Sequence, residues 1–277
     1  FATTKNSTPE NEYLVRSLPL INQWNYTVGA TYKHRIENGF YNLSLSRNMF
    51  DNQLDQFEDA QTNNEDFRNL KLKSQEIENK FRFDVNQYKK GWKYSYGISG
   101  QYVKYNTSLY NKIASATYDV NGNLISPEIA VNFNSAIDFY RAGAFAQVSK
   151  SFFNNKLLVS TGVRSDVNSF TDSGLNAGKT LSPRLSMAYS INEKLDITGS
   201  IGRYFKLPIY TSLGYRDQND ILVNKSMEYI NSNHYVLGAQ FLPNNGMRIT
   251  LEGFYKTYSN YPVSVANGIS SNEGSNS

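Results

Sequence analysis

The sequence has 277 residues, enough for one large β-domain or two small ones, and it is rich in residue types that favour strands and turns, namely Tyr, Phe, Asn, Ser and Gly. Its net charge of +4 is small and its basic residues are scattered, which argues against a nucleic-acid-binding protein. The absence of cysteine excludes a disulfide scaffold, a cysteine nucleophile and a cysteine-ligated metal site.

No stretch of the chain approaches the ~20 consecutive apolar residues that a membrane-spanning helix needs. A membrane barrel stays possible, because its strands are apolar on only one face. The chain begins at Phe1 without a leader sequence and ends at Ser277 in a stretch rich in Ser, Asn and Gly, so we expect it to be part of a longer polypeptide. Residues 1–23 and 260–277 are predicted loops.

Ten segments alternate between apolar and polar residues with a period of two, which predicts ten β-strands. In the clearest pair, Tyr235, Leu237 and Phe241 share one face before a turn at residues 243–246. Ile249 and Leu251 continue that face after the turn. In chain order the predicted strands lie at residues 24–35, 41–46, 76–85, 92–102, 140–149, 157–164, 185–189, 195–202, 235–241 and 247–256.

Short and long connections alternate along the chain. The short ones are predicted at residues 37–39, 89–91, 154–155, 192–193 and 243–246, and the long ones at 51–69, 106–137, 168–180 and 206–229. The first long connection contains Leu54 and Phe57, a pair consistent with a short helix, and residues 118–125 in the second predict a small hairpin. Because successive connections of an up-and-down sheet lie at opposite ends, every long connection falls at one end. This asymmetry is typical of outer-membrane barrels and not of soluble sandwiches.

The two faces of the predicted strands also fit a barrel wall. The strands mostly run about ten to thirteen residues, and at a tilt of ~40° ten residues cross an apolar band ~25 Å tall. Aromatic residues collect near both ends of the apolar face, as at membrane interfaces: Tyr32, Tyr41, Trp92, Tyr94, Tyr189 and Phe241 near the tight turns, and Trp24, Tyr26, Tyr102, Tyr140, Tyr235 and Tyr255 near the long connections. The other face carries polar and charged residues that suit a wet or plug-filled lumen: Lys33, Glu78, Lys80, Arg82, Gln101, Arg164, Asp196, Arg248 and Glu252. We therefore predict an all-β fold, a transmembrane up-and-down antiparallel β-barrel, present as an arc of about ten strands of a larger barrel.

Several stretches of the sequence resemble TonB-dependent outer-membrane receptors. They are Leu-Ser-Pro-Arg-Leu-Ser at 181–186, Gly-Arg-Tyr-Phe-Lys-Leu-Pro-Ile-Tyr at 202–210 and Glu-Gly-Phe-Tyr-Lys at 252–256, with Arg-Ser-Leu-Pro-Leu-Ile at 16–21 pointing the same way. The resemblance implies a 22-stranded barrel, a plug domain and a TonB box, and import of siderophores, haem, vitamin B12, oligosaccharides or peptides. The chain departs from this pattern, because residues 1–277 suggest a partial barrel domain with no recognisable plug or TonB box.

The resemblance also implies partners and a location. The expected location is the outer membrane of a Gram-negative bacterium, with the long connections extracellular. The expected partners are outer-membrane lipid, a small nutrient ligand, a TonB-type energy-coupling protein acting through the missing plug, and a surface lipoprotein over the connections. No nucleic-acid partner, cofactor or catalytic activity is expected.

Six residues, and Phe205 in addition, are candidates for ligand binding. Arg184, Arg203 and Arg216 could meet an anionic ligand through bidentate contacts, with salt bridging in the lumen or connections as the alternative. Tyr204, Tyr210 and Tyr215, together with Phe205, could stack on a sugar or an aromatic ligand, or could instead pack the interface and the connections.

Other polar residues are better explained by structure than by chemistry. His34 and His234 lie in different predicted hairpins without a ligand cluster, which favours ordinary polar roles over metal or haem ligation. Residues 119–122 and 217–220 have turn composition and do not match a calcium-binding loop.

Two other classes of function remain open. One is a passive porin or a structural barrel such as an adhesin, and the other is a soluble β-rich binding module, for instance for carbohydrate.

Overall fold

The computed structural model describes residues 18–58, 64–217, 219–244 and 246–263. The predicted terminal loops therefore lie mostly outside the described residues, over 1–17 and 264–277. The strands are β1 (Leu20–Ile36), β2 (Gly39–Phe57), β3 (Arg68–Lys89), β4 (Trp92–Ala114), β5 (Thr117–Tyr118), β6 (Leu124–Ser126), β7 (Ile129–Phe152), β8 (Leu157–Asn168), β9 (Ser182–Asn192), β10 (Leu195–Lys206), β11 (Ile230–Asn244) and β12 (Met247–Ser259).

Among the described residues, helical structure is confined to short turns. Helix α1 spans Tyr210–Leu213, and 3₁₀ turns lie at Glu65–Phe67, Ala177–Thr180 and Asn224–Ser226. In the described ranges, no helix is long and apolar enough to cross a membrane.

Ten antiparallel strands form a single sheet in the order β1-β2-β3-β4-β7-β8-β9-β10-β11-β12, which is also their order along the chain. The sheet is open, with β1 and β12 at its edges, so it is an unclosed arc of a barrel wall. The predicted all-β, up-and-down antiparallel fold is confirmed. The predicted small hairpin is confirmed too, because β5 and β6 form a separate two-stranded sheet within the connection between β4 and β7.

Tight turns join strands at one end of the sheet, as predicted. Lys90 and Gly91 between β3 and β4 both have positive φ, 50° and 77°, which is the backbone of a two-residue turn that matches the twist of its strands. Between β7 and β8, Asn154 and Asn155 also have positive φ, 52° and 68°. Asparagine and glycine tolerate this left-handed conformation better than other residues.

Four central strands extend much further toward the long connections than predicted. β2 runs to Phe57 and β4 to Ala114, so the predicted connections 51–69 and 106–137 are in large part strand. The alternation of apolar and polar residues ends here because the next residues on the apolar face, beyond Tyr102 and Tyr140, are Lys104 and Asp138. The main-chain pairing of β4 with β7 nevertheless continues, with Lys104 opposite Asp138. The strands therefore leave the apolar band without losing their main-chain hydrogen bonds.

Two smaller predictions at this end are corrected in the same way. Leu54 and Phe57 belong to β2, and the short helical turn of this connection lies at Glu65–Phe67, where the Asn64 side chain caps it. β1 begins at Leu20, inside the predicted N-terminal loop, because Leu20 pairs with Asp55 on the extended part of β2.

The main hydrophobic core lies on the polar face of the sheet, near the long connections. Val103 and Tyr105 of β4 and Ile137 and Phe139 of β7 form its base. Residues Leu207, Leu213 and Tyr229 of the connection between β10 and β11 cover that base. This long connection thus packs against the wall, whereas the sequence indicated only a long excursion.

Candidate functional site on the polar face

Strands β9, β10 and β11 bring three side chains together around one glycine. Two of them, Arg184 and Tyr204, were predicted to bind ligand, and the third, His234, was not. Arg184 of β9 and His234 of β11 both pair with Gly202 of β10. Tyr204 lies two residues further along β10, and its ring lies over Gly202, where an added Cβ would approach the ring within 3.0 Å. Glycine therefore lets the Tyr204 ring lie this close to the strand. We name this arrangement the Gly202 cluster: Arg184, Gly202, Tyr204 and His234.

The side chains of the Gly202 cluster contact one another. The Arg184 guanidinium carbon lies 4.3 Å from the centre of the Tyr204 ring, and the rings of Tyr204 and His234 have centres 4.5 Å apart. His234 Nε2 is 2.8 Å from Ser232 Oγ. These contacts orient the cation and the two rings while leaving Arg184 exposed.

The charge of this region is positive. Lys256 of β12 pairs with His234 across the strands and adds a second cation. In the part of the chain that the structure describes, neither Arg184 nor Lys256 forms an ion pair with a carboxylate. Two exposed cations beside aromatic rings suit an anionic ligand with a flat surface.

Arg203 does not join this cluster. Successive residues of a strand point to opposite faces, so Arg203 lies on the apolar face while Gly202 and Tyr204 lie on the polar face. Its Nε donates a hydrogen bond to Asn231 Oδ1 at 3.1 Å, and its guanidinium carbon is 5.0 Å from the centre of the Phe205 ring. Arg203 and Tyr204, adjacent in the sequence, therefore cannot contact the same ligand.

The 207–229 connection, which joins β10 to β11, covers the polar face of β4 and β7. Leu213 is fully buried, and Leu207 is only 4% exposed. They pack with Tyr105 and Phe139, which are 1% and 2% exposed. Burial of each such side chain stabilises the packed form by roughly 1.5–3 kcal/mol, which holds the connection against the wall.

Tyr210 anchors this connection to a distant strand. Its hydroxyl donates a hydrogen bond to Glu78 Oε1 of β3 at 2.5 Å. Its ring packs between Tyr105 and Phe139, with centres 6.1 and 5.9 Å away. Burial and the hydrogen bond to Glu78 raise the pKa of Tyr210, so the phenol remains protonated and acts as the donor.

Tyr215 and Arg216 also hold the connection in place. The ring of Tyr215 meets the ring of Phe133 edge-on, with centres 5.2 Å apart. Arg216 donates a hydrogen bond through Nη1 to the Asp220 carbonyl at 2.6 Å and one through Nε to Ser135 Oγ at 3.4 Å. The structure thus separates the six predicted residues into two on the Gly202 cluster, three in the 207–229 connection and Arg203 on the opposite face.

A buried asparagine links two long connections, and sequence reasoning missed it. Asn168 at the end of β8 is 1% exposed, and its Nδ2 donates to Tyr229 Oη at 3.2 Å and to Thr171 Oγ1 at 3.1 Å. The amide of Asp172 donates to the Lys225 carbonyl at 2.9 Å. No local pattern marks the contacts of Asn168 with Tyr229 and of Asp172 with Lys225, because both join residues far apart in the sequence.

The acidic turns behave as turns. Asp119 Oδ1 accepts hydrogen bonds from the amides of Asn121 and Asn123, and bonding to Asn123 lowers the pKa of Asp119. Asp217 Oδ1 likewise accepts from the amides of Asn219 and Ile221. Over the described ranges, no group of three or more His, Asp and Glu side chains could hold a metal ion.

Comparison with known proteins decides the family. The model of the TonB-dependent receptor-like β-barrel matches residues 2–276. The chain belongs to this family. The sequence-based assignment to TonB-dependent receptors is therefore confirmed. Members of this family are receptors and transporters rather than enzymes, and they are outer-membrane proteins of Gram-negative bacteria.

Solved structures of TonB-dependent receptors share the fold of this barrel segment. The siderophore receptor PirA from Acinetobacter baumannii is 16% identical, with a TM-score of 0.61 over 86% of this chain and 35% of that one. The ferric enterobactin receptor PfeA from Pseudomonas aeruginosa is 14% identical, with a TM-score of 0.60 and the same two coverages. The alcaligin receptor FauA from Bordetella pertussis is 13% identical, with a TM-score of 0.52 over 87% of this chain and 37% of that one.

The chain spans about a third of the length of these structures. No curated protein sequence matches it significantly.

Proposed function

We propose that this TonB-dependent receptor segment belongs to a transporter for a small anionic metal chelate of the siderophore class. The Gly202 cluster carries the proposal, because it presents an exposed guanidinium and two aromatic rings in contact on the polar face, with Lys256 as a second cation beside them. A chelate with negative charge would contact Arg184 and Lys256 through its oxygens, with Tyr204 holding the Arg184 guanidinium in place. The siderophore receptors that share the fold support this ligand class.

In this proposal the long connections are extracellular and the tight turns periplasmic. The support comes from the strands, because β3, β4 and β7 extend 22 to 24 residues, and beyond Tyr102 and Tyr140 the apolar face of β4 and β7 carries the charged residues Lys104 and Asp138. Such charged surface belongs in water rather than in lipid. In barrels of this kind the short turns face the periplasm.

Transport requires parts of the parent polypeptide that lie beyond residues 1–277. A plug would fill the lumen against the polar face, and a TonB-type protein would act on that plug. The 207–229 connection packs on the polar face of β4 and β7. In this proposal, ligand entering from the long-connection end would pass Tyr215 and Arg216 before it reaches the Gly202 cluster. A surface lipoprotein over the long connections remains a further prediction.

The test compares two arginines of the polar face in the natural polypeptide that contains this chain. Arg184→Ala removes the exposed guanidinium of the cluster, and Arg248→Ala removes a cation near the tight turns. Binding of ferric enterobactin and ferric alcaligin is measured on the purified protein. We expect at least one to bind, with a loss of about tenfold for Arg184→Ala and no change for Arg248→Ala, since a charge-assisted hydrogen bond contributes at least 1.5 kcal/mol.

Two results would contradict the proposal. Equal ligand affinities of Arg184→Ala and Arg248→Ala would show that the Gly202 cluster does not contribute to ligand binding. Uptake by whole cells that persists after the proton-motive force is collapsed would favour a passive porin.

A further inference from the structure

A continuous groove crosses the apolar face of β9, β10, β11 and β12. The part nearer the tight turns has a volume of about 520 Å³ and is lined by Met187, Gly199, Leu237 and Gly253. The part nearer the long connections has about 340 Å³ and reaches Arg203 and Asn233. Arg184, Gly202 and His234 also border it, but strand alternation directs the side chains of Arg184 and His234 to the opposite, polar face. Leu185, Ile201 and Tyr235 line both parts, so the two form one channel along the wall.

Two glycines create the apolar half of this groove, and the backbone does not require either. An added Cβ at Gly253 would meet no atom within 4 Å, and one at Gly199 would meet its nearest neighbour at 3.9 Å. The missing side chains leave a trough between Leu237 and Ile201, which are 65% and 52% exposed. An apolar trough of this shape on a membrane-facing wall fits an acyl chain.

Arg203 lies at the other end of the groove, two residue pairs beyond Tyr235 and therefore next to it on the same face. It is exposed, and its Nε is bonded to Asn231. Among the described residues it has no carboxylate partner, and its two terminal nitrogens donate no hydrogen bond. A cation left unpaired at the aromatic level of a membrane wall faces the headgroups of the lipids.

A second groove on the same face also contains an arginine, Arg47, whose hydrogen bonds differ from those of Arg203. It has a volume of about 700 Å³, contains Gly100, and holds Arg47 at the level of Tyr102 and Tyr140. Arg47 is bonded within the protein, because Nε donates to Tyr26 Oη and Nη1 donates to Asn79 Oδ1, both at 2.8 Å. Arg203 therefore differs from Arg47 in that both of its terminal nitrogens are left for a ligand, whereas Asn79 occupies one terminal nitrogen of Arg47.

We propose that the groove binds one phosphate-bearing acyl lipid of the surrounding membrane. An acyl chain lies in the trough over Gly199 and Gly253, and the phosphate accepts bidentate hydrogen bonds from the terminal nitrogens of Arg203. Asn233 lies next to the phosphate position. The site is on the opposite face from the Gly202 cluster, so it does not depend on the proposed transport function.

The test measures lipid binding to the natural polypeptide that contains this chain, purified in detergent. Native mass spectrometry follows titrations with dioleoylphosphatidylglycerol, with dioleoylglycerol, which lacks the phosphate, and with inorganic phosphate, which lacks the chains. We expect the phosphate-bearing lipid to bind about tenfold more tightly than dioleoylglycerol, and inorganic phosphate not to bind. Arg203→Gln should abolish the difference between the two lipids, and Gly253→Leu should weaken both.

Matched variants in the second groove serve as controls. Arg47→Gln removes a cation and Gly100→Leu fills a glycine position in the second groove, as Arg203→Gln and Gly253→Leu do in the first. Neither control variant should change the affinity for either lipid. If Gly253→Leu does not assemble, as judged by heat-modifiable gel mobility, Gly199→Ala replaces it, because the added methyl group fills less of the groove and should weaken binding of both lipids to a smaller extent. Equal binding of the two lipids, or equal effects of the variants in both grooves, would overturn the proposal.

Discussion

At the residue scale, the alternation of side chains along each strand decides what every residue can contact. Leu251 is 76% exposed on the apolar face of β12, and Thr250 beside it faces the polar side. Arg203 and Tyr204 are separated in the same way. The facing of these residues follows from the sequence, because a period of two needs only local information.

A pair of substitutions tests this assignment. Leu251→Arg should lower the free energy of unfolding by ~2–4 kcal/mol, because the charge enters the lipid-facing band. Thr250→Arg should cost far less, because it faces the lumen. Denaturant unfolding of the natural polypeptide in lipid vesicles measures both, and similar losses would refute the assignment of faces.

The hydroxyl of Tyr210 gives a second prediction at this scale. Tyr210→Phe removes the hydrogen bond to Glu78 and should destabilise the packed 207–229 connection by about 1.5–3 kcal/mol, seen as faster amide hydrogen exchange there. Tyr215→Phe is the control, since Tyr215 packs through its ring.

The pH dependence of this contact follows from the direction of the pKa shift. Because the pKa of Tyr210 is raised, its stabilising contribution is complete below the ordinary phenol pKa of about 10 and is lost only as the pH rises through the higher folded value. Exchange of the wild-type connection should therefore show no loss of protection from this residue between neutral pH and about pH 10. Unchanged exchange in Tyr210→Phe would contradict the anchoring role.

At the element scale, the tight turns and the order of the strands could be predicted from the sequence, and the ends of the long strands could not. The alternation stops at the aromatic level, where Lys104 and Asp138 replace apolar residues, but the backbone ladder continues into water. The packing of the 207–229 connection could not be predicted from the sequence either. Leu213 meets Tyr105 and Phe139 only because distant strands are adjacent in the sheet.

The Gly202 cluster shows the same limit within a single site. Tyr204 and Gly202 are close in the sequence, but Arg184 and His234 join them through the registers of two strand pairs. A shift of either register by one residue would place them on opposite faces. Sequence reasoning therefore identified Arg184 and Tyr204 as candidates without being able to group them.

A substitution in the buried part of the 207–229 connection tests its packing. Leu213→Asp places a charge in a fully buried position, so the connection should leave the wall and become sensitive to protease. The strands should remain assembled, with unchanged heat-modifiable gel mobility. Ile221→Asp, at a 57% exposed position of the same connection, is the control. Equal protease resistance of the two variants would contradict the packing.

At the scale of the whole molecule, the arc has two open edges and a wall with large exposed apolar side chains. Leu237 and Leu251 are 65% and 76% exposed, and β1 and β12 each lack a partner on one side among the described residues. Residues 1–277 by themselves should therefore aggregate in buffer without detergent. A monodisperse, folded monomer in light scattering and circular dichroism would instead favour a soluble binding module.

The central claim is that one face of this sheet meets lipid and the other faces an enclosed lumen. Because the chain has no cysteine, single cysteines can be placed at successive positions of β12 and spin-labelled in the natural polypeptide within membrane vesicles. The claim predicts that accessibility to oxygen, which concentrates in lipid, rises at Ile249, Leu251 and Tyr255 and falls at Thr250 and Glu252. Accessibility without a period of two, or with maxima at Thr250 and Glu252, would contradict it.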